Sequence, residues 1–330
     1  MAASECGLRR VIRAARSERR RHGACMQLRI LAVPALAGLA LVACGSTDNN
    51  STNSPSGGAA TASASPTAAA CATGTITASG STALQPLVQK AAQLYQAKCT
   101  GATITVSGGG SSTGLSNVAS GTSDIGNSDV PVSNAKAVDP TTVKDHQVAV
   151  VVFAVIVNPG AGVTNLTTQQ IQDVFSGKVT NWKSVGGKDV PVTLIERKPG
   201  SGTRLSFDKD MMGGTAEAAN PASTQDSTQL VLTGVGGASA PGGVSYVAAG
   251  SADSTVVKVS IDGVSATGDA VKAGTYKLFS HEHMYTKTAA SPLADAFINY
   301  ILSSEFQTTQ VSTLGYLPVA TTSEQSAADQ

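Results

Sequence analysis

The chain has 330 residues, 41% of them apolar and 14% charged, a balance that excludes fibrous and largely disordered classes and leaves enough apolar side chain for a sizeable core. The net charge of +1 is unevenly placed: residues 1–43 hold eight Arg against Glu5 and Glu18, so the remainder carries about −5. A body of that sign lacks the basic footprint of a nucleic-acid binder, and any anion it takes must be held by local groups.

Met26 to Arg29 is a short basic segment followed by the apolar run Ile30 to Val42 and then Ala43-Cys44-Gly45, the layout of a signal peptide. That run is too short for the roughly 20 residues a membrane-spanning helix needs. Leu41-Val42-Ala43-Cys44 resembles the lipobox of bacterial lipoproteins, which implies cleavage before Cys44 and lipidation of its thiol. Residues 1–25 read as an over-extended start or an unusually long n-region. Gly45 to Ala70 is almost entirely Ser, Thr, Ala, Gly, Asn and Pro and cannot offset ordering entropy by burial, so residues 44–70 read as a flexible tether with a reach of about 28 Å. Residues 321–330 read as a disordered tail. Of five cysteines, Cys6 and Cys25 fall in the leader and Cys44 is the lipid site; the even pair left, Cys71 and Cys99, suggests a disulfide in an exported domain.

In chain order, the pattern predicts a strand at Thr75–Ala78, a helix at 85–98, a strand at Thr103–Val106 and a helix at 112–119. Val148–Val157, a long β-branched apolar run, is expected as a strand passing between two lobes. Helices at 167–175 and 203–211 flank a strand at Val190–Ile195; Tyr276 to Tyr285 is a candidate return crossing, and a helix follows at 292–307. Alternation of this kind predicts an α/β fold with largely parallel sheets.

Three turns share one design, a strand end, a Gly/Ser/Thr turn and a helix start: Ser79 to Ala83, Ser107 to Gly114, and Arg197 to Thr203. Glycine lets backbone approach a ligand, hydroxyls donate, and the first N–H groups of a helix carry the positive end of its dipole, so such ends suit anions. A single turn of this kind is ordinarily an N-cap; three beside an arginine point to an oxyanion. The fourth turn, Asp124 to Pro131, adds carboxylates. Asp129 repels a fully deprotonated anion but accepts from one that retains a proton, as monohydrogen phosphate does and sulfate does not.

In this order, Ser79 to Leu87, Gly109 to Gly114, Asp124 to Pro131, Ile171 to Lys178 with Asn181-Trp182, and Arg197 to Phe207 resemble the phosphate-binding proteins of bacterial ABC importers, over about residues 75–320. The resemblance implies a two-lobed periplasmic-binding-protein-like (type II) fold with a cleft between the lobes and two crossing strands as hinge. Lobe I would comprise residues 71–153 with 281–320, and lobe II residues 154–280. It implies phosphate contacts from Ser81, Thr82, the Ala83 backbone, Ser111, Asp129, Arg197, Ser201, Gly202 and Thr203. Some relatives place an Asp two residues after the arginine to orient it; Pro199 stands there in this chain. The implied partners are inorganic phosphate, the permease subunits with their cytoplasmic ATPase, and the extracytoplasmic membrane face through the lipid anchor; the protein is expected to be monomeric, with no cofactor.

Other residues read as structural. His281-Glu282-His283 has too few ligands for a metal site, Lys198 and Arg204 flank the third loop and read by default as solvated charges, the alternative being that they add field to the cleft, and Trp182 reads as packing. Ser201 lacks the Gly-x-Ser-x-Gly elbow and no phosphate-cradling Gly-Lys-Ser/Thr loop is present, so no enzyme activity is expected. Two alternatives stand: a binder of another oxyanion such as sulfate or molybdate, and an adhesion or signalling protein that retains the fold.

Overall fold

The computed structural model describes residues 71–134 and 138–319; the leader, the signal peptide, Cys44 with the tether and the tail lie outside the described residues. Strands β1 (Gly74–Gly80), β2 (Ala102–Gly109), β3 (Ile125–Ser128) and β4 (Val143–Val157) alternate at first with helices α1 (Gln85–Lys98) and α2 (Ser111–Ser120). Then follow β5 (Asn165–Leu166), α3 (Thr168–Phe175), β6 (Thr193–Arg197), α4 (Gly202–Asp210), β7 (Ser223–Gln225), α5 (Thr228–Gly236) and β8 (Gly243–Ala248). The chain closes with β9 (Val257–Lys258), β10 (Ser260–Ile261), α6 (Gly268–Lys272), β11 (Phe279–Lys287), α7 (Pro292–Leu302), α8 (Ser304–Phe306) and β12 (Tyr316–Leu317).

The main sheet runs β2-β1-β3-β11-β4-β8-β6-β7. Its flanks are parallel, β1 with β2 and β3, and β6 with β7 and β8. Its centre is antiparallel, because β11 runs opposite to both β3 and β4, and β4 runs opposite to β8. The expectation of largely parallel sheets therefore holds only on either side of this central pair. Every residue of β4 from Val148 to Val157 is buried, as a strand covered on both faces requires. Residues 143–152 of β4 pair with β11 and residues 153–157 with β8, so one strand serves both lobes of this mixed α/β fold.

Two expected elements shift. The strand foreseen at Val190–Ile195 begins at Thr193, since Pro191 has no N–H for a ladder and is drawn instead into a bridge with Asn181. The last long helix stops at Leu302, where Ser303 turns extended and caps α8 by accepting from Phe306 N–H. The return crossing begins at Phe279, with Tyr276 left as an anchor whose hydroxyl donates to the Phe153 carbonyl at 2.8 Å.

α1 buries Leu87, Val88, Ala91, Ala92 and Tyr95 on one face, and Tyr95 meets Phe297 and Tyr300 of α7 edge-on at 5.8 and 5.5 Å. Cys71 and Cys99 form a disulfide with their Cα atoms 5.3 Å apart, tying the chain before β1 to the C-terminus of α1. Trp182 is fully buried, and its indole N–H donates to the Gly242 carbonyl at 2.9 Å, a packing role as foreseen. Among the described residues no helix is long and apolar enough to cross a membrane.

Candidate functional site: a cleft lined by hydroxyls, one arginine and one aspartate

The C-terminal ends of β1, β2, β3 and β6 converge, as parallel strands with following helices bring their connecting loops to one edge. Convergence is tight. Gly80, at φ +138°, lies where a Cβ would stand 2.1 Å from the Asn127 carbonyl oxygen, so only glycine lets β1 and β3 meet here. Gly202 is the counterpart on the facing loop: a Cβ there would stand 2.2 Å from Ser111 Oγ and 2.9 Å from Asp129 Cβ. The loops of the two halves thus touch, and the Ser112 N–H also donates to the Gly200 carbonyl at 3.0 Å.

Ser81, Thr82, Ser111, Asp129, Arg197, Ser201 and Thr203 are all buried around this contact. Asp129 is acceptor to both halves: Ser81 Oγ donates to Oδ1, and Thr203 Oγ1 donates to Oδ2 at 2.8 Å. Its own N–H donates to Ser111 Oγ at 3.0 Å. Ser81 Oγ also accepts from the N–H groups of Ala83 and Leu84 at 3.0 and 3.1 Å. The Ala83 N–H, expected to face a ligand, donates here to Ser81 Oγ, because the turn folds that hydroxyl back over the start of α1. Ser201 Oγ caps α4 by accepting from the Arg204 N–H at 3.4 Å.

Arg197 is 1% exposed. Nη2 donates to Thr82 Oγ1 at 3.2 Å and to the Asp226 carbonyl at 3.4 Å, so in place of a carboxylate two residues on, a hydroxyl and a backbone oxygen hold this end of the guanidinium. Nε and Nη1 are buried and have no hydrogen-bond partner among the described residues. Burial pulls the guanidinium pKa down from its ordinary value, opposed by the nearby charges of Asp129 and Asp226. Unpaired buried donors on a cation are costly, and native proteins seldom leave them so.

Sequence reasoning missed three members of this cleft. Thr228, which opens α5, donates its N–H to Thr82 Oγ1 at 3.2 Å and brings a fourth helix start to the site; the Ser227-Thr228 pair before an apolar run was its signal. Asp226 supplies the carbonyl just described. Glu282, weighed only as part of a metal motif, is fully buried on β11 beside Asp129. Burial first, and the neighbouring Asp129 second, push its pKa well above the ordinary value, which favours its neutral form. His281 and His283 occupy the same side of β11 and line one cavity of about 780 Å³ with Asp145 and Ser206. Among the described residues no group of three metal-ligating side chains is placed to hold an ion.

The two flanking cations differ. Lys198 pairs with Asp226 at 3.2 Å on the exposed rim, as a solvated charge would. Arg204 is not a solvated charge: its side chain is only 21% exposed and reaches Glu217 at 2.5 Å, Glu196 at 3.4 Å and Asp208 at 3.8 Å. The helical position of residue 204 turns it inward beneath the loop, where Phe207 stacks on Tyr246 at 4.1 Å.

A hydroxyl-lined cleft with one buried cation and one acceptor-only carboxylate, closed by loops from both sides of a crossing-strand hinge, defines a two-lobed binding protein for a small oxyanion. Residues 65–305 match the PBP superfamily domain. The chain is 41% identical over 249 residues to the phosphate-binding protein PstS of Bacillus subtilis (strain 168), covering 75% of this chain and 82% of that one. Its fold matches a candidate phosphate ABC transporter substrate-binding protein from Clostridium perfringens, solved with bound phosphate, at a TM-score of 0.68 and 28% identity, covering 74% of this chain and all of the other. An ABC-type phosphate transport receptor from Vibrio cholerae gives 0.58 at 27% identity over the same 74%. The chain belongs to the PBP superfamily, within the family of phosphate-binding proteins.

Proposed function

We propose that this protein captures inorganic phosphate outside the cytoplasmic membrane and delivers it to the permease of an ABC importer. The observation that carries the reading is the pair of buried, unpartnered Arg197 donors, Nε and Nη1, set near a carboxylate that can only accept. An anion satisfies the first; an anion that keeps one proton satisfies both. The contacts are assigned to Thr82, Ser111, Asp129, Arg197, Ser201, Gly202 and Thr203, with Ser81 and the Ala83 backbone reaching phosphate once their mutual bond rearranges. Relatives named as phosphate-binding proteins support the ligand class.

Lobe I is assigned to residues 71–153 with 281–320 and lobe II to 154–280, hinged on β4 and β11. A lipid on Cys44 holds the monomer at the membrane, and the tether lets it sample the permease surface. The protein performs no catalysis; transport energy comes from the partner ATPase. Titration of the phosphate-stripped protein with phosphate, sulfate, arsenate and molybdate tests the reading. Tight phosphate binding with weak sulfate binding is expected, and failure to bind any oxyanion overturns it. Cys44→Ser tests the anchor, since it should release the protein from membranes or block its processing.

A further inference from the structure

The loop that runs from Arg197 to Thr203 supplies the cation and most of the lobe II hydroxyls, yet its sequence, Lys198-Pro199-Gly200, has few side chains able to hold it in shape. Gly200 sits at φ +88°, where the backbone has no side chain to pack. One residue bridges both ends of this loop. Arg204 Nη1 donates to the Arg197 carbonyl at 2.6 Å, while the Arg204 N–H donates to Ser201 Oγ at 3.4 Å. Its guanidinium is itself fixed: Glu217 Oε2 lies 2.5 Å from Nη2, Glu196 Oε2 3.4 Å from Nη1, and the Tyr246 hydroxyl donates to Glu217 Oε1 at 2.8 Å.

Building on the oxyanion reading, we propose that Arg204 is a positioning residue for the anion site: anchored by Glu196 and Glu217, it grips the carbonyl of Arg197 and sets the height and direction from which the Arg197 guanidinium enters the cleft. The fork geometry suits this. A planar guanidinium can hold a carbonyl and a carboxylate at fixed angles, which a point-charge ammonium cannot. A ligand-binding group whose support is loosened by about 1 Å loses much of its interaction, although it remains present. Arg204 does not touch the anion; its contacts are to backbone and to acids beneath the loop. Phosphate and sulfate should therefore lose affinity in equal proportion when it is changed, because the pose of Arg197 matters to both anions and the proton-reading Asp129 is untouched.

The test is a double-mutant cycle in the full chain, read by phosphate and sulfate titration with thermal unfolding measured in parallel. Arg204→Met should weaken both anions roughly ten- to hundredfold, within the range of coupling seen between contacting residues. In an Arg197→Ala background the same change should cost less than about twofold, since there is no guanidinium left to position. Arg204→Lys keeps the charge and the fold and should give the same non-additive pattern, so a misfolded Met variant does not end the test. Additive losses in both backgrounds, or a folded Arg204 variant with wild-type affinity, overturn the inference while leaving phosphate binding intact. A wild-type protein that binds neither anion overturns the underlying reading and the inference with it.

Discussion

Replacing Asp129 by Asn changes one oxygen for an amide and leaves the cleft's shape intact, so it isolates proton reading from anion binding. The direction of the new amide follows from its neighbours. Ser81 Oγ already accepts from the N–H groups of Ala83 and Leu84, so its own proton must go to residue 129. The Asn carbonyl oxygen must then face Ser81, and its NH₂ must face Thr203 and the ligand. That NH₂ can donate to sulfate, which the carboxylate repels, while monohydrogen phosphate loses a charge-assisted acceptor worth about 1.5–3 kcal/mol. Phosphate affinity should fall about 10- to 150-fold at neutral pH, and sulfate affinity should hold or rise, so the phosphate-to-sulfate ratio drops by at least about tenfold. Arg197→Ala provides the contrast, since Coulombic attraction is blind to the ligand's proton and both anions should weaken together. Calorimetric titration of stripped protein in phosphate-free buffer reads both affinities. An unchanged ratio for Asp129→Asn would refute the proton-reading argument even if phosphate remained the ligand.

Gly202→Ala should abolish tight phosphate binding with little change in thermal stability of the unliganded protein, because its Cβ would meet Ser111 Oγ at 2.2 Å and keep the facing loops apart; wild-type affinity in that variant would show that closure does not require this contact. Removing the Cys71–Cys99 disulfide, which closes a loop of 28 residues, should lower unfolding free energy by about 3–4 kcal/mol in the chain-entropy model while leaving phosphate affinity within twofold, measured by denaturant titration and calorimetry. Glu217 has its pKa raised from 4.5 to about 7, mainly by burial that outweighs its pairing with Arg204. Its folded pKa exceeds its unfolded one, so the stability it contributes is complete below about 4.5 and is lost as pH rises through about 7. Glu217→Gln should flatten that part of the stability–pH curve; an unchanged slope would mean that Glu217 titrates normally in the folded protein.

Local chemistry was legible in the sequence wherever the signal was itself local. Helix α1 could be bounded by its turn and its apolar face, and β4 by its unbroken β-branched run, because backbone preference and burial there depend on neighbours in the chain. The serine, threonine and glycine turns marked where an anion could sit, and the cysteine count left one pair to join. Other features depended on residues far apart. The antiparallel centre of the sheet follows from the opposite courses of β4 and β11, separated by more than a hundred residues, and no periodicity reports direction. Arg204 looked like a surface charge because its acids, at positions 196 and 217, reach it only after β6, α4 and the following loop pack together. Glu282 looked like one member of a histidine pair's motif until the register of β11 against β3 and β4 turned it inward beside Asp129. The sequence thus determined which residue types could hold an oxyanion. Only tertiary structure decided which donors and carboxyls would share one buried space, where loss of solvent makes each unpaired charge costly enough to define a site.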